Sequence, residues 1–128
     1  MQNERDYAII LRMIEHCTRI EEIRERLGNS FEAFAADSVY EDAINMNIFQ
    51  IGELSNQLSS EFKKNNPEVP WHRIYGIRNV IAHAYVIVDK RTIWETAEKD
   101  IPAFRDRLEV FLKPYAEQIV LDPNGREN

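Results

Sequence analysis

In the stretch GIRNVIAHAYVIVD, Gly76 to Asp89, three side chains capable of phosphate and proton chemistry stand in the order Arg78, His83, Tyr85. An arginine offers a planar fork to a phosphate whose charge grows in a transition state. A histidine titrating near neutrality can take a proton from a ribose 2′-hydroxyl or give one to a leaving oxygen. A tyrosine can stack on a base or donate to a phosphate, and nothing in this set calls for a metal ion. On a straight helix, residues five apart diverge by about 140°. Arg78 and His83 therefore do not share a face, whereas Asn79 and His83, four apart, do. A tight site is awkward for one chain. Two copies meeting about a twofold axis would gather two arginines, two histidines and two tyrosines. The same spacing also admits plain roles: Arg78 in a surface ion pair, His83 as a favourable charge at a helix C-terminus, Tyr85 as a half-buried aromatic.

Other chemistries fall away on inspection. A di-metal carboxylate bundle needs a Glu-x-x-His pair on two helices, and the residues three before His16, His72 and His83 are Met13, Val69 and Val80. Cys17 is the sole cysteine, so no intrachain disulfide or thiolate cluster exists. Its helical spacing with Ile10, Ile14 and Ile20 reads as a buried structural thiol. No Gly-x-Ser-x-Gly elbow, Gly-x-x-x-x-Gly-Lys loop or dinucleotide fingerprint occurs, which removes hydrolase, kinase and Rossmann readings. His16 and His72 read as structural or solvent-facing. Glu53 follows Gly52 inside a helix, where a glycine costs about 1 kcal/mol relative to alanine and often marks close approach of a neighbour. No cofactor and no metal are implied.

The elements that must carry these residues are helical. Tyr7, Ile10, Ile14, Cys17, Ile20, Ile23 and Leu27 recur at three- and four-residue steps, one face of a helix over about 4–27 that Gly28-Asn29 ends. SFEAFAAD predicts a helical turn or two. Ser38 and Glu41 have the spacing of a capping box opening a long helix through Ile44, Ile48, Ile51, Ser55, Leu58 and Phe62, stopped by NNPEVP. A third helix begins near Trp71 and frays near the motif, and VIVD reads as a connection. A fourth starts at Asp89 or at a Thr92/Glu95 box and carries Trp94, Ala97, Ile101, Phe104, Leu108, Phe111 and Tyr115 in strict seven-residue repeat. Pro102 predicts a kink or break in it. The sum is an all-α bundle of four to five up-and-down helices in one domain over residues 1–121, with a frayed tail at 122–128.

Bulk composition agrees with one soluble domain. The 128 residues are 44% hydrophobic and 30% charged, and no basic n-region or run of about 20 apolar residues is present. The cytoplasm is the expected location. Net charge is −6, which argues against a polyanion partner, but from Glu61 to Arg91 six cations face three anions. The basic island surrounds the motif.

RNVIAHAY has the Arg-x4-His-x-Tyr form and resembles the motif of HepT-like proteins, toxin members of the HEPN superfamily. RDYAIILRMIEHC, EDAINMNIFQIGELSNQL, PEVPWHRIYGIRNVIAHAY and VDKRTIWETAEKDIPAF extend the resemblance, in order, over about residues 4–112. The resemblance implies a helical bundle that dimerises at the motif and acts as a metal-independent ribonuclease on RNA. Arg78 and His83 would be the catalytic pair, with Asn79 and Glu53 in support. It further implies a toxin of a type VII-like toxin–antitoxin pair, whose nucleotidyltransferase antitoxin neutralises it by transferring AMP to Tyr85. The alternative is a non-catalytic dimer that binds a nucleotide or the nucleotidyltransferase. A purely structural bundle is a third possibility.

Overall fold

In the computed structural model, which describes residues 4–87 and 89–120, every element is helical. Helix α1, Glu4–Arg26, buries Ile10, Met13, Cys17 and Ile20 along one face. It ends where Gly28 and Asn29 both take positive φ, 66° and 56°. Glycine accepts that backbone at no steric cost, and Arg24 clamps the Asn29 side chain at 2.8 Å. The short α2, Phe31–Ala35, is the turn expected from SFEAFAAD, and it seats Phe34 against Trp94.

Helix α3, Ser38–Gln57, starts one residue away from the capping box expected from sequence. Asp37, not Ser38, is the cap, its carboxylate accepting from the amides of Val39 and Tyr40 at 3.0 and 3.3 Å. Ser38 is already helical, and Glu41 is buried toward Lys90. The long helix also stops earlier than NNPEVP. The buried carboxylate of Asp6 accepts from the amide and hydroxyl of Ser59 at 2.9 and 2.8 Å, holding that residue out of the helix. The Ser59 hydroxyl in turn accepts from Phe62, capping a separate α4, Ser60–Asn65.

Helix α5 runs Trp71–Val86, so the motif lies within regular helix instead of at a frayed end. Val86 closes it and Ile87 caps it; Val88, within the expected VIVD connection, lies outside the described residues. Asp89 caps α6, Lys90–Glu95, accepting from the amide of Thr92 at 3.1 Å and its hydroxyl at 2.7 Å. Those two bonds, with a smaller pull from His83, hold the Asp89 carboxyl below its ordinary range. The helix then widens into a π turn at Thr96–Asp100 and continues as α7, Ile101–Val120. Of the kink or break expected at Pro102, the break does not occur, and the irregularity is a π turn just before it. The Ile101 amide reaches back to Thr96, and the wider turn takes up the proline ring that would otherwise crowd the carbonyl of Glu98. The tail expected after Leu121 lies outside the described residues.

Helix α3 is the central element, packed against α1 on one side and α5 on the other, while α7 closes the bundle against α1. Aromatic rings finish one end, with Trp71 stacked on Phe111 at 6.0 Å and Phe62 edge-on to Phe111 at 5.2 Å. Cys17 sits in this core with no exposure, and burial, with the Glu21 charge nearby, pushes its thiol up to about 12. No described helix is long and apolar enough to cross a membrane.

Candidate functional site

The crossing of α3 and α5 determines where Arg78 goes. A Cβ built on Gly52 would stand 2.9 Å from the Cβ of Arg78 and 3.4 Å from the Tyr75 carbonyl, so only glycine permits this approach. That contact places the arginine beside the next residue of α3, Glu53, and the guanidinium pairs with its carboxylate. The other terminal nitrogen donates to the Tyr75 hydroxyl at 2.7 Å, and the guanidinium carbon lies 4.6 Å from the Tyr75 ring centre. Arg78 Nε is buried without a hydrogen-bond partner. The fork is held on two sides and only partly open.

Tyr85 is seven residues beyond Arg78, almost in line with it and about 10.5 Å along the helix. Its ring is about half exposed and its hydroxyl donates to Asp42 of α3 at 3.1 Å. That hydrogen bond, reinforced by the carboxylate's charge, pushes the phenol above its ordinary pKa. Between the two ends, Asp42, Asn45, Met46, Phe49, Ile81, Ala82 and Tyr85 line an open groove with a cavity of about 340 Å³.

His83 looks elsewhere. It is exposed, on a stripe with Gly76, Val80 and Ile87 at steps of four, three and four, and Asn79 is exposed one turn before it. Among the described residues no hydrogen bond or ion pair joins Arg78 to His83. One chain thus brings Arg78 together with Glu53, and sets His83 and Asn79 on a different face.

Of the remaining histidines, His16 is buried and shares a 2.8 Å hydrogen bond with Asn47, while His72 is exposed. The basic island is partly neutralised, since Arg73 pairs with Asp100 at 2.9 Å and Lys90 with Glu41 at 4.0 Å. Among the described residues no three His, Cys, Asp or Glu side chains gather as a metal site. Sequence reasoning missed Tyr75, Asp42 and Asn45. Tyr75 was findable, three residues before Arg78 on one helix face, but Asp42 and Asn45 depend on how α3 pairs with α5.

Residues 3–111, nearly the whole described bundle including this crossing, match the family described as ribonuclease HepT-like. The chain belongs to that family. A protein of Thermococcus cleftensis called "Probable ribonuclease HepT" is 34% identical over 84% of this chain and 91% of its own length. A protein of Caldanaerobacter subterraneus, named as an RNase, is 37% identical over 67% of this chain and 77% of its own. Another of Methanocaldococcus jannaschii, also named as an RNase, is 28% identical over 65% and 84%. No solved structure matches the chain. The HepT-like match covers α1 to the middle of α7, so Gly52, Glu53, Arg78, His83 and Tyr85 all fall inside it.

Proposed function

We propose that this chain is a metal-independent endoribonuclease, the toxin of a type VII-like toxin–antitoxin pair, acting in the cytoplasm as a homodimer. The observation that carries the reading is the seat of Arg78. A ribonuclease-family chain uses a glycine at a helix crossing to hold one arginine beside a carboxylate and a tyrosine, with a histidine exposed on the same helix.

In the reaction, a ribose 2′-hydroxyl loses its proton and attacks the adjacent phosphorus, and the 5′-oxygen leaves with a proton. His83 takes or returns that proton. Arg78 neutralises the phosphate as its charge grows, with Glu53 and Tyr75 fixing the plane of the fork. A phosphate reaching Arg78 competes with Glu53, so Glu53 both orients the arginine and sets its availability. Asn79, on the His83 face, supports the histidine. Dimerisation uses the outward face of α5, where Val80 and Ile87, 51% and 55% exposed, flank His83. Joining two such faces gathers the residues that one chain keeps apart.

Regulation falls to Tyr85. The tyrosine oxygen attacks the α-phosphorus of ATP held by a nucleotidyltransferase antitoxin, pyrophosphate leaves, and Asp42 accepts the phenolic proton it already binds. The AMP so attached adds bulk and negative charge along the groove where RNA phosphate must lie.

Cleavage of RNA in the presence of EDTA is the deciding assay. Wild type is expected to cut, and Arg78→Ala and His83→Ala to lose at least about a hundredfold in rate. Equal cleavage by all three would place the activity elsewhere. A second reading, a non-catalytic dimer binding a nucleotide or the nucleotidyltransferase, gains support from Arg78 already being paired with Glu53. It predicts nucleotide binding by unmodified protein with no RNA cut.

A further inference from the structure

The wall of the groove between α3 and α5 contains an unexplained group. Asn45 is 91% buried, as its 9% exposure implies, and neither its amide nitrogen nor its amide oxygen has a hydrogen-bond partner. A buried donor and acceptor left unpaired are costly, and native proteins rarely tolerate them without a use. The rest of the lining is Met46, Phe49, Ile81, Ala82 and the Tyr85 ring, with the Asp42 carboxylate among them.

We infer that this cavity is a nucleobase site, in which the Asn45 amide reads the hydrogen-bonding edge of one base of a bound single strand. This rests on the reading of the α3–α5 groove as RNA-binding. Three features converge on a base. An amide presents a donor beside an acceptor, the complement of the same pair on a base edge, and asparagine meets adenine in this bidentate way. Flat apolar surface from Phe49 and Tyr85 suits an unstacked ring, since single-strand readers bind bases on aromatic side chains. The groove also supplies the phosphate end, because Gly52 and Arg78 lie about 10.5 Å along their helices from Asn45 and Tyr85. The volume of about 340 Å³ falls within the ordinary range for small-molecule pockets.

The amide atoms are closed off from solvent. A base therefore reaches them when a rim side chain turns aside, and Met46 and Tyr85, 58% and 48% exposed, are the ones with room to do so. Asp42 adds an acceptor at the rim, so bases carrying an exocyclic amine are favoured over uracil.

The test titrates AMP and UMP into full-length protein and follows the Asn45 side-chain amide by NMR. The resonance is assigned with Asn45→Leu, or with Asn45→Gln should the leucine variant not fold. AMP is expected to shift that resonance and to bind more tightly than UMP, with Asn45→Leu weakening AMP about tenfold or more. The leucine variant is expected to unfold at the same or higher temperature, because it removes unpaired polar atoms. No shift of the Asn45 amide, or unchanged AMP affinity in the variant, overturns the proposal. So does a groove closed to nucleotides whose Asn45→Leu or Phe49→Asp change splits the dimer, since a second copy would then be the occupant. RNA cleavage measured alongside separates the two readings. Protein that binds AMP through Asn45 but cuts nothing sinks the nuclease and keeps the base site. Protein that cuts RNA with base preference unmoved by Asn45→Leu does the reverse.

Discussion

Gly52 carries its role through what it lacks. An added methyl would sit 2.9 Å from the Arg78 Cβ, inside any normal contact, and both atoms belong to stiff parts of their helices. Gly52→Ala is expected to part α3 and α5, costing about 1–3 kcal/mol as core overpacking does. Cleavage is expected to fall at least about tenfold as Arg78 moves, by the same sensitivity to misplacement that governs catalytic groups. Urea unfolding and RNA cleavage read the two effects, and undiminished cleavage in a weakened fold would detach Arg78's seat from the activity. Tyr85 offers a pH test at the same scale. Its phenol is raised by Asp42, so the folded protein keeps it protonated at pH values where an unfolded chain begins to ionise it. Any stability from this pair is present below the ordinary tyrosine pKa and is lost as pH rises through the raised value. Asp42→Asn removes both the cause and the proton acceptor, so AMP incorporation at Tyr85 is expected to slow and the phenol, followed by its ultraviolet absorbance, to titrate at lower pH in that variant. An unshifted pH profile would mean that Asp42 does not control the phenol. Cys17, its thiol pushed up to about 12 by burial, is expected to resist iodoacetamide in the native state and to react only after unfolding.

The break between α3 and α4 shows what element boundaries rest on. Apolar spacing in sequence runs smoothly from Ile44 to Phe62, and nothing local demands a stop at Leu58. The stop comes from Asp6, 53 residues away in sequence, whose carboxylate satisfies the Ser59 amide and hydroxyl. Asp6→Ala leaves that pair without its buried acceptor and is expected to destabilise the fold by about 1–3 kcal/mol. Chemical denaturation measures this, and an unchanged midpoint would show the two helices fuse at no cost. The same distinction explains what was legible beforehand. The all-helical class, the helix periods and the burial of Cys17 follow from three- and four-residue spacing, which is local, whereas four to five helices were expected and the described chain divides into seven α-helical segments. The close approach at Gly52 could be suspected, because glycine inside a helix needs a reason. Asp37 as cap, Ser59 as breaker and the π turn ahead of Pro102 were out of reach, since each is chosen among near-equal local options by packing. For the candidate site, Arg78, His83, Glu53 and Tyr85 could be singled out as candidates from type and spacing. Their partners, Tyr75 apart, required knowing which turn of α3 lies against which turn of α5.

At the scale of the whole molecule, the separation of Arg78 from His83 becomes a prediction about assembly. Helix α5 is regular through both residues, so their divergence of about 140° is fixed by helical geometry and cannot be relaxed by a loop. If one active unit draws its arginine from one protomer and its histidine from the other, a twofold dimer contains two such units. Arg78→Ala and His83→Ala homodimers are then both inactive, because each unit lacks one partner. In a mixed dimer the first protomer keeps His83 and the second keeps Arg78, so one unit is whole and the other lacks both. Random exchange makes half of the dimers mixed, each with one of two units intact, and about a quarter of wild-type activity should return. Denaturing the two inactive variants together, refolding them and assaying cleavage measures this directly. Activity that stays at the level of the separate variants would confine each site to one chain, and Arg78 would then have to reach round the helix to act with its own His83. Recovery near a quarter, absent when the variants are mixed without refolding, would instead make dimerisation a condition of catalysis. Any partner that covers the outward face of α5 would then silence the protein without touching Arg78.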